Sequence, residues 1–168
     1  GMGQTRVVDG HIHFTCGQRW GEVGRMMELL GVEKVCCLSL IDRGRVNYNP
    51  ECLNVKMAYP GRVYGAGSLD YSKMLNNDED AGADLAQQVE EMIAAGYDGV
   101  KMVEGKPSVY AWTRVPFDDR RYDAFFGILE ETGFPLVFHV GDPPAFWDPD
   151  DEWSNAMGWN YAKGGFVP

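Results

Sequence analysis

The chain has 168 residues, 45% hydrophobic and 24% charged, values of a globular chain and not of a disordered or fibrous one. Lys and Arg number 15 against 25 Asp and Glu, a net charge of −10 without a basic run, which argues against nucleic acid or an anionic membrane as a partner. No apolar stretch reaches the ~18–20 residues of a membrane span, and no charged-then-apolar signal pattern opens the chain.

Five apolar runs, each followed by a helical pattern, organise residues 1–168 as one domain. The first is Arg6 to Asp9, leading into Gly10-His11-Ile12-His13. Val23, Met26, Met27 and Leu30 then keep helical spacing, with Gly31 as the C-terminal cap. The second run is Lys34 to Leu40. A weaker helix around Glu51 to Ala58 has Pro50 in its first turn and Pro60 past its end. The third run is Val63 to Leu69, and Leu85, Val89, Met92 and Ile93 mark a helix closed by Gly96. The fourth is Gly99 to Val103. Tyr122, Phe125, Phe126 and Leu129 mark a helix with Asp118 as N-cap and Gly133 and Pro135 ending it. The fifth run is Pro135 to Val140, and Asp148 to Pro168 shows no helical period.

Near-continuous apolar runs suit parallel strands buried on both faces. Their starts are separated by roughly 28 to 36 residues, the size of a βα unit. The class is α/β, and an open doubly wound sheet competes with a barrel. No G-x-G-x-x-G follows the first run, and Gly65-Ala66-Gly67-Ser68 lacks the third glycine of that motif. The four cysteines, Cys16, Cys36, Cys37 and Cys52, form no C-x-x-C pair, which points to reduced thiols and a cytoplasmic protein.

The chemistry lies in three histidines. His11 and His13 are two apart at the end of the first run, so a strand would turn both imidazoles to one face. His139 ends the fifth run. In parallel α/β folds the carboxyl ends of strands share one rim, where ligands bind. Three imidazoles there would make a catalytic zinc site with an open position. The competing reading is three strand-end histidines that are merely hydrogen-bonded.

The segment Val8-Asp9-Gly10-His11-Ile12-His13-Phe14 resembles the first-strand motif of the amidohydrolase superfamily. Gly99-Val100-Lys101-Met102 resembles its fourth strand. Pro135-Leu136-Val137-Phe138-His139-Val140-Gly141-Asp142-Pro143-Pro144 resembles its fifth, nearest the amidohydrolase-related branch of hydrolases and non-oxidative decarboxylases. The resemblance implies a (β/α)₈ barrel with a divalent metal, most often zinc, held by His11, His13 and His139. A metal-bound water would be the nucleophile, or the metal would polarise a carbonyl or carboxylate. The family's strand-six histidine and strand-eight aspartate have no counterpart, and a full barrel takes ~250 residues. The expectation is therefore an incomplete TIM-type barrel of about five βα units. A fragment, a truncated reading frame, or a half-barrel completed by another chain as a homo-oligomer would each account for it.

Other rim residues have two readings each. Lys101 orients substrate or pairs with an acid; binuclear branches of the superfamily instead carboxylate such a lysine to bridge two metals. Glu104 is a ligand or base, or a solvated loop carboxylate. Asp9 orients a histidine. Asp142 is catalytic, or a turn aspartate before Pro143. Cys16 is a ligand or a packed loop residue. Tyr110, Trp112, Phe146, Trp147, Trp153, Trp159 and Tyr161 line a pocket for a flat substrate, or pack against further strands or a subunit. The resulting expectation is a metal-dependent hydrolase of a small amide, ester or lactone. Its alternatives are a decarboxylase of an aromatic or unsaturated acid, and an inactive metal-binding remnant. Zinc is preferred; manganese and iron also suit imidazole.

Overall fold

The computed structural model describes residues 6–15, 19–42 and 46–164. The elements are β1 (Val7–Ile12), α1 (Gly21–Leu30), β2 (Val32–Leu38), β3 (Ile41–Asp42), β4 (Val46–Asn47), α2 (Asn49–Ala58) and β5 (Val63–Ser68). Then come α3 (Ser72–Leu75), α4 (Ala81–Ala95), β6 (Gly99–Met102), α5 (Pro107–Thr113), α6 (Asp123–Thr132), β7 (Leu136–Phe138) and α7 (Glu152–Ala156). Single 3₁₀ turns precede α6 and flank α7.

All five apolar runs are strands of one parallel sheet, in the order β1-β2-β5-β6-β7. That is sequence order without a reversal. A doubly wound sheet reverses at its switch point and a barrel does not. The winding therefore decides the question composition left open: the sheet is a curled half-barrel of the TIM type. β3 and β4 form a separate two-residue antiparallel pair.

One sheet face carries the helices. Val35, Cys37 and Val63 pack with Val23 and Met27 of α1 and Cys52 and Val55 of α2. Val100 and Met102 pack with Leu85, Val89 and Met92 of α4 and Phe125 and Leu129 of α6. The predicted helical stripes hold at these positions. Their outer members differ: Leu30 is 67% exposed, Ile93 38% and Phe126 37%. The cap before α6 is Asp119 and not Asp118. Its Oδ1 accepts from Arg121 N at 3.0 Å and opens the 3₁₀ turn Arg120–Tyr122, so Tyr122 belongs to that turn. The stretch after Asp148, without periodicity, forms the short helix α7, capped by Asp151, whose Oδ1 accepts from Ser154 N.

Alternation puts Cys36, Ser68, Lys101 and Val137 on the opposite, concave face, with Ser68, Lys101 and Val137 in one register row. β1 would break this rule without a bulge. Asp9 pairs with Val35 and Ile12 with Cys37, three steps on β1 against two on β2. Both pairs belong to the helix-side rows. The inserted residue flips the alternation between them, so His11 and His13, flanking Ile12, turn to the concave face. Asp9 supports the bulge directly: its Oδ1 accepts from His11 N at 3.0 Å, a local turn bond in place of a ladder bond.

Candidate metal centre

His11 and His13 meet on the concave face. Their Nε2 atoms are 3.0 Å apart and the rings are perpendicular, at 89° with centroids 4.7 Å apart. His13 Nδ1 lies 2.8 Å from the Leu38 carbonyl. A carbonyl only accepts, so Nδ1 carries the proton and Nε2 presents its lone pair. The 3.0 Å contact is then donated by His11 Nε2. Both residues are exposed along one edge, yet the sheet around them removes enough water to push both imidazoles below their usual pKa, and the Lys101 ammonium pushes the same way. Neutral imidazole is the ligand form.

With the His11 proton on Nδ1 in place of Nε2, this pair suits a divalent cation. Two ring nitrogens bound tetrahedrally at about 2.0–2.1 Å stand about 3.3 Å apart, close to the separation found. The backbone-locked tautomer of His13 is the arrangement metal-binding histidines use. The third predicted ligand is oriented separately. His139 continues the β7 ladder through its N–H to the Met102 carbonyl at 2.9 Å. Its Nε2 is 3.0 Å from Asp142 Oδ1, and Tyr161 donates its hydroxyl to Asp142 Oδ2. Asp142 is thus more than a turn residue: it holds His139 through Nε2 and leaves Nδ1 for a ligand. His139 acts electrostatically on both His11 and His13. Among the described residues, however, no three His, Cys, Asp or Glu side chains converge closely enough to hold a metal ion.

Lys101 is 2% exposed on β6, and burial pushes its ammonium pKa down. Glu104 corrects the expectation of a solvated loop carboxylate. It is fully buried, its Oε2 accepting from Tyr71 Oη at 2.8 Å and Val103 N at 2.9 Å. Burial raises its pKa to about 7. That would suit a general base, but the carboxyl faces Tyr71 and Tyr122 in the helix-side core, whereas the histidine pair faces the concave side. Asp9 orients His11 through the backbone and not through the ring. Cys16 lies outside the described residues.

Among the described residues, the loop aromatics pack with one another in two groups. Phe146 packs with Trp153, Trp159 and Tyr161 at 5.9–6.1 Å between ring centroids, and Trp147 lies 4.9 Å from Tyr161. Tyr110 pairs instead with Phe117, which packs edge-on to Phe138. The side chain of Trp112 is outside the described set. The knot around Phe146 brings Tyr161 to Asp142. Sequence reasoning missed Lys106, just before α5, whose charge reaches His13 and which Asp142 faces in turn. Its place four residues after Met102, beyond a strand's carboxyl end, was the available signal. Gly105 was missed too. A Cβ there would stand 2.0 Å from the His139 carbonyl oxygen, so only glycine lets the β6 loop pass the end of β7.

No protein-family model matches the chain, and no curated protein does. Several solved structures share its fold. A probable 2-pyrone-4,6-dicarboxylic acid hydrolase from Acinetobacter baumannii, with citric acid bound, superposes with a TM-score of 0.57 at 14% identity, over 83% of this chain and 51% of that one. The 4-oxalomesaconate hydratase LigJ from Rhodopseudomonas palustris gives 0.56 at 16%, over 80% and 52%. The 5-carboxyvanillate decarboxylase LigW from Sphingomonas paucimobilis gives 0.53 at 14%, over 96% and 58%. All three are amidohydrolase-superfamily enzymes. The chain spans little more than half the length of each, and at these identities the likeness is one of fold.

Proposed function

We propose that this chain carries the metal-binding half of an enzyme of the amidohydrolase type, with His11, His13 and His139 as ligands of a divalent cation, zinc by preference. The reaction proposed is hydrolysis of a small amide, ester or lactone. The observation that carries the reading is the His11–His13 pair, with Nε2 atoms 3.0 Å apart and His13 locked by Leu38. A bound cation supplies Lewis acidity and a water acidified toward a pKa of ~7. The chain's own groups do the rest. Leu38 keeps the His13 proton on Nδ1, Asp142 steadies His139, and Tyr161 steadies Asp142. Lys101 is placed to bind substrate on the concave face, and Glu104 serves the core. The free thiols of Cys36, Cys37 and Cys52 support a reducing, cytoplasmic setting.

A decarboxylase of an aromatic acid is the second reading, because the decarboxylase neighbour spans 96% of this chain. Both readings need the metal, so metal content is the test. Elemental analysis of protein purified without added metal is expected to find about one zinc or similar ion per wild-type chain, and to find it lost in His11→Ala and in His139→Ala. No metal in the wild type after zinc is added would sink both readings for this chain.

A further inference from the structure

Glu104 is a fully buried carboxyl at the head of the loop from β6 to α5, and three segments meet on it. Tyr71, just before α3, donates its hydroxyl to Oε2 at 2.8 Å, and Val103 N donates to the same oxygen at 2.9 Å. Among the described residues, Oε1 is buried without a hydrogen-bond partner, and so is the hydroxyl of Tyr122, in the turn before α6. Met74, Val103 and Val109 pack in one apolar cluster with the two tyrosines. The groups that act on Glu104 are Tyr71, Tyr122 and the backbone N–H groups of Val103 and of Glu104 itself. Of the charged groups on the surrounding elements, Lys73 pairs with Asp80 and Asp84, Arg121 pairs with Asp119 at 2.9 Å, and Lys106 faces Asp142; Arg114 and Arg120 are exposed. A carboxyl so placed is stable as the neutral acid and is driven toward water once ionised.

The same loop reaches the candidate metal site. Gly105 passes the end of β7 so closely that a Cβ would stand 2.0 Å from the His139 carbonyl oxygen. Tyr71 and Tyr122 cover the Glu104 side chain, so it meets water only when the loop that carries it moves, and Gly105 moves with it. We propose that Glu104 is a pH-sensitive catch: as the neutral acid it holds the β6–α5 loop in the core, and on ionising it releases that loop from the end of β7. The device goes beyond the metal reading and stands whether or not a cation binds. Its sign follows from linkage: the released carboxyl binds its proton less tightly than the held one, so opening is favoured as pH rises. With a pKa of 4.5 when released and about 7 when held, a rise from pH 6 to pH 8 multiplies the opening constant about tenfold.

The test is amide hydrogen exchange, read by mass spectrometry on the full chain at pH 6 and pH 8, without urea and in sub-denaturing urea. Rates are divided by the intrinsic rate at each pH. Amides of residues 103–113 are expected to gain about tenfold between the two pH values. They are expected not to respond to urea, because a loop opening exposes little surface. Glu104→Gln keeps the neutral shape and is expected to abolish the gain. Tyr71→Phe removes a donor that favours the ionised form inside the core, and is expected to enlarge it. Exchange of residues 103–113 that follows urea as steeply as that of β2 would mean that Glu104 meets water only in global unfolding. That result overturns the catch on wild type alone, whether or not the variants fold. The absence of a pH gain in wild type overturns it too, as does an equal gain in folded Glu104→Gln, or an unchanged or smaller gain in Tyr71→Phe.

Discussion

A histidine offers a ligand nitrogen only when its other nitrogen holds the proton, and the Leu38 carbonyl enforces that at His13. Glu104 shows the opposite use of burial. Its carboxyl is forced toward the neutral form between Tyr71 and Tyr122. For an acid whose folded pKa is raised, stability is fully present below the unfolded value and is lost as pH rises through the folded one. A rise from 4.5 to about 7, at about 1.36 kcal/mol per pH unit, is roughly 3 kcal/mol. Wild type should therefore lose about that much stability between pH 5 and pH 8. Glu104→Gln should remove most of the slope and exceed wild type in stability at pH 8. Urea unfolding at both pH values checks this, and parallel pH profiles would refute it.

Two local backbone devices act beside the histidines. The β1 bulge, held by Asp9, changes which side His11 and His13 face without changing their spacing. Gly105 lets the loop after β6 run against the end of β7, where a Cβ would meet the His139 carbonyl oxygen at 2.0 Å and Val140 Cα at 2.8 Å. Both contacts are backbone, so neither can yield by a rotamer change. Gly105→Ala should cost about 1–3 kcal/mol of stability, the usual range for overpacking, and should shift His139 relative to the His11–His13 pair. On the proposed metal site, zinc affinity should fall even though all three histidines are retained. Thermal unfolding and zinc titration report the two effects; wild-type affinity in the variant would separate Gly105 from the site.

The half-barrel leaves β1 and β7 as sheet edges, each paired on one side only among the described strands. Apolar side chains lie near both: Val8 is 61% exposed on β1 and Val140 76% just beyond β7. Open parallel edges with apolar neighbours recruit further strands. The 168-residue chain should therefore self-associate, with sedimentation velocity giving a mass above 18.8 kDa that rises with concentration. A monomer at every concentration would mean that the edges are protected within one chain.

Much of this was legible in the residues. Apolar runs of strand length, separated by helical spacings, have few ways to bury themselves, so the five parallel strands and most helical stripes followed from pattern. The spacing of His11 and His13 determined that they share a face, and the ends of the first and fifth runs determined that His139 shares their rim. Which face they share was not legible. It depends on a bulge defined by pairing with β2, and pairing is a property of two strands together. Glu104 misled because a carboxylate after a strand looks solvated until the tyrosines that cover it, 33 residues before it and 18 after it, are in place. Barrel against doubly wound sheet was settled by strand order, and the service of the Phe146 aromatics to Tyr161 and Asp142 by packing. Periodicity is local and survives in the chain; face, burial and partnership arise between distant segments, and only the folded sheet decides them.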